Sequence, residues 1–551
     1  MENNAICPLC REQIPADEYD TWITCPECDG LIYVDEALEL FSEEFPSKGD
    51  DDEELVFNAS DIPEDSDRPT GAQPTSPKEF KIKDGVLLKY AGTGGDVVIP
   101  DSVTVIADGA FENCLPRPKK LFDKGCVGLK TIFIPGSVKE IGVGAFSGCT
   151  ELVGVSIGEG VATIGARAFF GCTALTGVTL PDSLTDIREE AFSGCSALRA
   201  LRFGEGLKSI GAKAFAGCSA ISLLILPDGM TALGNEAFSG CSSLERVRLG
   251  IALKRLGAGA FTACVSLKEV LMGDALTEIG NGAFEGCAAL TYAVLGENVS
   301  VIGERAFKGC KSIERMKIHG EVKELGEGAF ANCSSIKKLK LSRGVKRIPP
   351  YAFSECSSLE AIYLPDSAVN IGVRAFEGCK SLNTVFIPDS VTELGESAFT
   401  ALSALSTLSI PTRFLTAQSF LALGKLMVGL DIKKLEHLII TGEGEIVPNA
   451  FEDCTALKTL KLDGVTEIGF GAFSGCHGLR SLDIGNAVTR IGKHAFRDCF
   501  SVLTLTHPTN ASSSIFVSVS GSVRVRTEKQ SLNACFPIRV TAFPISRLLR
   551  P

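Results

Sequence analysis

The stretch Ile141-Gly142-Val143-Gly144-Ala145-Phe146-Ser147-Gly148-Cys149 decides the fold, because close copies of it return along most of the chain. A fixed period of this kind predicts a solenoid, which grows by adding stacked coils and needs no larger central core. The phenylalanine of the copies recurs at a constant step of 23 residues, at Phe146, Phe169, Phe192, Phe215, Phe238, Phe261, Phe284, Phe307, Phe330, Phe353, Phe376 and Phe399.

One repeat unit runs from Leu152 to Ala174, and its apolar residues follow a fixed order. The L-x-x-V-x-I pattern that begins at Leu152 predicts a strand whose apolar residues point inward. Val161 and Ile164 predict a second inward pair, and the Phe of each copy supplies most of the core volume. The repeat therefore predicts coils built from short strands and irregular segments, with one aromatic ring per coil.

The motif I-G-x-x-A-F-x-G-C, followed by L-x-x-V-x-L-P, resembles the BspA-type leucine-rich repeat family over residues 80–500. Residues 141–149 carry the first part of the motif and residues 382–388 carry the second. The resemblance implies an α/β-type repeat solenoid, a leucine-rich-repeat horseshoe with a parallel concave sheet that is mostly β and irregular coil. It also implies a function in adhesion or protein binding, commonly at the cell surface.

Breaks in the period mark the limits of the repeat region. The segment 80–100 lacks the motif and predicts an N-terminal cap, which shields the open face of the first coil. About 17 coils follow, with inserts near residues 115–126 and 421–440, where the step between motif phenylalanines exceeds 23. Residues 501–551 match no repeat and are expected to form an irregular C-terminal tail.

The first 41 residues contain two C-x-x-C pairs, Cys7 with Cys10 and Cys25 with Cys28. Two such pairs can supply the four thiolates of a tetrahedral structural zinc site. We therefore expect residues 1–41 to form a small zinc ribbon that binds one structural Zn²⁺. A redox function of a C-x-x-C pair is the alternative.

Residues 42–79 predict an acidic disordered linker, because they are rich in Asp, Glu, Pro and Ser and poor in apolar residues. Residues 1–79 hold 4 Lys and Arg against 22 Asp and Glu, whereas residues 80–500 hold 44 of each class. The formal net charge of the whole chain is −13. An acidic head and a neutral body argue against nucleic acid as the partner. The linker could instead engage a basic partner.

The compartment is predicted from the absence of targeting patterns. Met1 is not followed by a basic and then apolar signal segment, and no apolar run is long enough to span a membrane. The regular placement of most of the 21 cysteines favours reduced packing residues over disulfides. We therefore expect a cytoplasmic protein, with the cell surface as the alternative.

Ligand contacts are expected at the outward positions of the strands, because solenoids bind through residues that vary between coils. Arginine and aromatic side chains are the types that most often anchor protein interfaces. An ordinary solvated surface, with these cations paired to neighbouring glutamates, is the alternative. The candidate binding residues are Arg202, Arg246, Arg248, Tyr292, Arg315, Lys317, Lys338, Lys340, Tyr363 and Phe386.

The sequence offers little support for catalysis. Residues 154–158 match G-x-S-x-G, but they lie within a predicted repeat strand and not at a strand-to-helix turn. The five histidines are scattered. We therefore predict a non-enzymatic interaction scaffold that binds a protein, peptide or glycan through the concave face. A BspA-type surface adhesin, exported by an unrecognised route, is the alternative.

Overall fold

The computed structural model describes residues 75–112, 128–296, 298–317, 322–341, 344–415 and 432–499, and the backbone of seven three-residue strands outside these ranges. The chain divides into two units. The large unit comprises Phe57–Leu382 and Ser390–Ala401. The small unit comprises Met1–Val56, Asn383–Asp389 and Leu402–Pro551.

Each coil of the large unit contributes a strand to a first row, formed by the residues that follow the motif cysteine. Neighbouring strands pair in parallel and are offset by one repeat, so that Gly154, Gly177 and Ala200 are register partners. The first row contains β7 (Gly95–Val98), β9 (Leu129–Ile134), β11 (Gly154–Ile157), β13 (Gly177–Thr179), β15 (Ala200–Arg202), β17 (Leu223–Ile225), β19 (Arg246–Arg248), β21 (Glu269–Leu271), β23 (Tyr292–Val294), β25 (Arg315–Lys317), β27 (Lys338–Lys340) and β29 (Ala361–Tyr363).

A second row of two-residue strands lies one turn further along each coil. It begins with an antiparallel hairpin of β5 (Phe80–Lys83) and β6 (Val86–Tyr90), and the later strands of the row pair in parallel. One sheet runs from β5 to β26, and β28, β30 and β32 form another. The remaining strands of the row are β8 (Val105–Ile106), β10 (Glu140–Ile141), β12 (Thr163–Ile164), β14 (Asp186–Ile187), β16 (Ser209–Ile210), β18 (Ala232–Leu233), β20 (Arg255–Leu256), β22 (Glu278–Ile279), β24 (Val301–Ile302), β26 (Glu324–Leu325), β28 (Arg347–Ile348), β30 (Asn370–Ile371) and β32 (Glu393–Leu394).

The small unit merges the two rows in two of its coils. Strands β34 and β35 are each ten residues long and pair in parallel, with a register shift between Thr441 and Gly444. The other strands add to this sheet in parallel. Its strands are β31 (Thr384–Phe386), β33 (Thr407–Pro411), β34 (His437–Ile446), β35 (Thr459–Ile468), β36 (Ser481–Asp483), β37 (Arg490–Ile491) and β38 (Thr504–Thr506).

The termini of the chain form three short antiparallel hairpins: β1 with β2, β3 with β4, and β39 with β40. Helix in the described residues is limited to the 3₁₀ turns Pro77–Glu79, Thr412–Phe414 and Ile432–Lys434. The hairpin strands are β1 (Asn4–Ile6), β2 (Gln13–Pro15), β3 (Trp22–Thr24), β4 (Leu31–Tyr33), β39 (Ile515–Val517) and β40 (Val523–Val525).

A column of stacked phenylalanine rings forms the centre of the core. From Phe111 to Phe399 of the large unit, the ring centroids of adjacent coils lie 4.7 to 5.7 Å apart. The rings are buried, and centroid separations of 4.5–7 Å are typical of favourable aromatic pairs. Phe80 and Tyr90 of the cap continue the column, and the Tyr90 hydroxyl donates to Glu79 Oε2 at 2.9 Å. The cap therefore closes the stack with an aromatic pair whose one polar group is satisfied.

The motif cysteines lie beside the ring column and hold adjacent coils together. The Cys172 thiol donates to the Phe146 carbonyl oxygen of the preceding coil, with Sγ and O 3.2 Å apart, and the contact repeats along the stack. Every free cysteine of the described residues is buried. Burial raises the pKa of the Cys264 thiol to about 12. These cysteines are therefore neutral packing residues, as the sequence predicted.

The predicted parallel-sheet solenoid of stacked coils is confirmed. The segment 80–100, expected to form the N-terminal cap, contains β5, β6 and β7. Strand β34 begins at His437, within the range near residues 421–440 where the sequence analysis expects an insert. The insert near 115–126 lies outside the described residues.

Candidate functional site

Three of the candidate binding residues have described side chains on the first row of the large unit. Arg246 and Arg248 flank Val247 in β19. Val247 is fully buried and both arginines are half-buried, because successive side chains of a strand point to opposite faces. Arg202 occupies the corresponding outward position of β15. These three residues lie at outward strand positions, and their contribution to binding stays a prediction.

For six further candidates, the described structure extends to the backbone only. Register places Tyr292 level with Glu269, Lys338 level with Arg315, and Lys340 level with Lys317. Phe386 lies on β31 of the small unit and is half-buried. The six candidates described by backbone only lie on first-row strands, as predicted, and their contribution to a binding site stays a prediction. They are Tyr292, Arg315, Lys317, Lys338, Lys340 and Tyr363.

Arg202 and Arg248 line the same groove, which has a volume of about 320 Å³. Thr179 and Ile225 lie on the same side of the groove as these arginines, because all four residues are outward positions of consecutive first-row strands. Phe203 lines it next to Gly204. The opposite side consists of an acidic row, which we define as Glu159, Asp182, Glu205 and Asp228.

Phe203 departs from the packing of its neighbours. It follows β15 at a position where the adjacent coils place the buried Leu180 and Leu226, but its own side chain is half-buried. The ring lies edge-on to Phe215 of the core column, with centroids 5.8 Å apart. One first-row sheet ends at β15 and the next begins at β17, so the strand ladder is interrupted beside this ring. Phe203 is therefore a half-buried ring at a position where the adjacent coils have buried leucines.

The acidic row is held by contacts between successive coils. Asp182 Oδ1 accepts the Glu205 backbone N–H at 2.9 Å, and the Glu159 carboxylate accepts the Asp182 and Ser183 N–H groups at 3.4 Å. Arg248 Nη2 lies 2.8 Å from Asp228 Oδ1 and forms an ion pair across the groove. Hydrogen bonds from backbone N–H groups or an ion pair with Arg248 thus orient three of the four carboxylates.

The sequence analysis missed the acidic row and Phe203, although the repeat contained the signal. Glu159, Asp182, Glu205 and Asp228 follow one another at steps of 23 residues, so they occupy one column of the stack. Phe203 stands at the same step from Leu180. Aligning every column of the repeat, and not only the strand positions, would have found both features.

Two glutamates beside the first-row strands form ion pairs with lysines of adjacent coils. Lys268 Nζ lies 3.0 Å from Glu245 Oε2, and Lys337 Nζ lies 3.3 Å from Glu314 Oε2, both between adjacent coils. These side chains are half exposed or more, and such surface pairs contribute only about 0–1 kcal/mol each. Both pairs join adjacent coils and involve no residue that lines the groove.

The predicted zinc ligands Cys7, Cys10, Cys25 and Cys28 lie outside the described residues. Within the described part of the chain, no group of three or more His, Cys, Asp or Glu side chains is arranged to hold a metal ion. No helix in that part is both long and apolar enough to cross a membrane.

Comparison with known proteins agrees with the stacked coils. The family model described as BspA type leucine rich repeat region, in six copies, matches residues 117–245, 208–337, 323–422 and 432–522, more than half of the chain. The chain belongs to the BspA-type leucine-rich repeat family. This BspA-type chain gives no match among curated proteins.

Solved structures similar to the BspA-type chain include a leucine-rich repeat protein from Bacteroides ovatus. It is 25% identical, with 77% of this chain and 94% of that chain covered and a TM-score of 0.48. A leucine-rich cell surface protein from Faecalibacterium prausnitzii is 28% identical, with 61% and 94% covered and a TM-score of 0.40. A leucine-rich repeat protein of T. pallidum is 30% identical, with 40% and 91% covered and a TM-score of 0.30.

Proposed function

We propose that this protein is a non-enzymatic interaction scaffold that binds a protein, peptide or glycan through the outward face of the first-row strands. The groove carries the proposal, because Arg202 and Arg248, which belong to different coils, line the same groove. Ligand sites are commonly concave, with a few polar groups set among apolar ones. Membership of a repeat family whose members bind other molecules supports the same function. The face continues along β23, β25, β27 and β29, which carry the other candidate residues of the large unit.

Charge reversal on the face tests the scaffold function. The double variant Arg202→Glu/Arg246→Glu is compared with Lys254→Glu/Lys346→Glu, which changes the net charge equally at exposed positions outside the first-row strands. Full-length proteins with a photo-crosslinking group are used to capture partners from the native cell. We expect the first variant to lose partners that the wild type and the second variant retain. Identical capture by all three proteins would overturn the proposal.

A second candidate is a cell-surface adhesin, which family membership supports. The cysteines are compatible with both candidates, because buried neutral thiols are poor nucleophiles and resist oxidation. Protease treatment of intact cells separates them. Cleavage of the protein on intact cells would favour the adhesin, and protection until lysis would favour an internal scaffold.

We also propose that residues 1–41 bind one structural Zn²⁺ through Cys7, Cys10, Cys25 and Cys28. The backbone supports a fit, since each C-x-x-C pair falls in sequence between the two strands of an antiparallel hairpin, β1 with β2 and β3 with β4. Four thiolates fill the coordination sphere of zinc, so the ion would stabilise the fold and leave no position for a substrate. Elemental analysis of the purified chain should find one zinc per molecule and none in Cys10→Ser/Cys28→Ser. A zinc-free wild type would refute the proposal.

A further inference from the structure

Two adjacent first-row strands of the large unit, β25 and β27, carry four basic residues and no acidic one. Leu339 of β27 is buried, so strand alternation places Lys338 and Lys340 on the outward face. The parallel register sets Arg315 level with Lys338 and Lys317 level with Lys340, so all four share this face. We call these four residues the basic patch.

Both register pairs of the basic patch join like charges. Neighbouring strands lie about 4.8 Å apart and residues two apart on a strand roughly 6.6 Å, so four cations occupy a small area. Like charges that lie level with each other destabilise a sheet. Strands β19 and β21 show the opposite arrangement, in which Arg246 lies level with Glu269. An arrangement that costs stability in this way is expected where residues are kept for a ligand.

The acidic row does not continue through the two coils of the basic patch. Followed at steps of 23 residues in the sequence, its column has further carboxylates at Asp274, Glu297 and Asp366. In the two coils of the patch, the same column has Gly320 and Arg343 instead. The sequence therefore removes acidic residues from this column in the same two coils in which it places cations on the strands.

The basic patch is small and bounded by uncharged positions. The corresponding positions of the neighbouring strands are Tyr292 and Val294 on β23, and Ala361 and Tyr363 on β29. Along each strand, the two cations are two residues apart, which is roughly 6.6 Å. Alternate side chains of an extended peptide have the same spacing, because they follow the same backbone geometry. The patch therefore matches a short peptide with an acidic residue at every second position.

We propose that the basic patch binds an extended acidic peptide segment of a partner protein, whose carboxylates recur at every second residue. This assignment rests on the proposed scaffold function and names its ligand class. Hydrogen bonds between Lys or Arg and a carboxylate are charge-assisted and stronger than neutral ones. A bound carboxylate also relieves the repulsion between level cations. Tyr292 and Tyr363 add, on either side, a residue type that is common at protein interfaces.

A nucleic-acid strand fits the basic patch less well than an acidic peptide. Proteins that bind single strands follow the backbone with a longer basic groove, over about 4–16 nucleotides per domain. The basic patch spans two strands only, and Glu269 lies on the outward face two strands before β25. The formal net charge of −13 also repels a long polyanion more strongly than a short acidic segment.

The proposal is tested with the labelled hexapeptide acetyl-(Glu-Ala)₃-amide, titrated into the full-length protein at low ionic strength and followed by fluorescence anisotropy. We expect saturable binding by the wild type and about tenfold weaker binding by Lys317→Gln/Lys340→Gln, which removes two ion pairs with the peptide. The matched control is Lys254→Gln/Lys346→Gln, which changes the net charge equally at exposed positions outside the first row. Its affinity should stay close to that of the wild type.

A second peptide of the same composition tests the spacing. In acetyl-Glu-Glu-Glu-Ala-Ala-Ala-amide, neighbouring acidic side chains point to opposite sides of an extended backbone, so fewer of them can face the patch at once. We expect its affinity for the wild type to be several times weaker than that of the alternating peptide.

Thermal unfolding separates a binding role of the lysines from a structural one. Lys317→Gln/Lys340→Gln removes a level pair of like charges, so the variant should unfold no earlier than the wild type while it binds the peptide more weakly. Unfolding at a clearly lower temperature would show that these lysines stabilise the coil, and would contradict the proposal that they are kept for a ligand.

Four binding results would overturn the proposal: no saturable binding of the alternating peptide, equal loss of affinity in both glutamine double variants, equal affinity for the two peptides, or tighter binding of hexathymidylate at equal charge concentration. The second and third results would indicate attraction by net charge alone, and the fourth a nucleic-acid site. If one of these results is obtained while partner capture still depends on Arg202 and Arg246, only the ligand class is wrong. If capture is also insensitive to the face, the scaffold function falls with it.

Discussion

Replacing Phe238 by leucine tests whether the stacked rings stabilise the coils beyond simple burial. The Phe238 ring is fully buried, with its centroid 5.1 Å from that of Phe215 and 5.7 Å from that of Phe261. Leucine keeps most of the apolar burial but removes both ring pairs. At about 0.5–1.5 kcal/mol for each aromatic pair, the free energy of unfolding should fall by about 1–3 kcal/mol.

The effect should be local, because the stability of a solenoid is close to a sum over its coils and the interfaces between them. Urea unfolding followed by circular dichroism measures the total loss. Native-state hydrogen exchange locates it, since the Phe215 N–H donates to the Ala237 carbonyl and the Phe238 N–H to the Ala260 carbonyl. We expect faster exchange at these amides and unchanged exchange several coils away.

Phe170→Leu is the matched control. This ring is 39% exposed and lies outside the column, with Arg167 Cζ 5.8 Å from its centroid. Surface substitutions of this kind usually change stability by no more than about 0.5 kcal/mol. Equal destabilisation by Phe238→Leu and Phe170→Leu would refute the reasoning, because it would mean that the ring pairs add nothing to burial.

Three further predictions concern the backbone, the pH dependence and the thiols. Ala263 has φ +60° at a position where most coils have glycine. Ala263→Gly should therefore raise the free energy of unfolding by about 1 kcal/mol in urea titrations. Ala260→Gly, within the buried core, should lower it. Burial lowers the pKa of His437 below its ordinary 6.5, so the unfolded chain binds the proton more readily than the folded chain. The free energy of unfolding should therefore decline as pH falls below about 6.5. The variant His437→Gln should reduce that decline in urea midpoints measured between about pH 7 and 5. The buried motif thiols, including Cys264 with its raised pKa, should react with a thiol reagent at the rate of unfolding; rapid labelling in native buffer, compared with labelling in urea, would contradict the packing role.

The candidate site shows where sequence reasoning reached its limit. Arg202, Arg246 and Arg248 were found because strand alternation alone tells which residues point away from the core. Phe203 was missed because its residue type suits an inward position, and only the packed coil shows that its ring is half-buried and edge-on to Phe215. The pairing of Arg248 with Asp228, instead of a strand glutamate, likewise depends on how the coil turns after β17.

The repeated motif is sufficient to predict the solenoid, its 23-residue step, and the buried column of phenylalanine and cysteine. It could do so because each coil meets the same neighbours, and therefore needs the same residue types at its inward positions. Which outward side chains come together follows from the packing of the coils. The half-buried Phe203 ring, two arginines and an acidic row from four coils line one groove. An alignment of the repeat columns can list these residues, but their distances, burial and pairing follow only from how the coils pack.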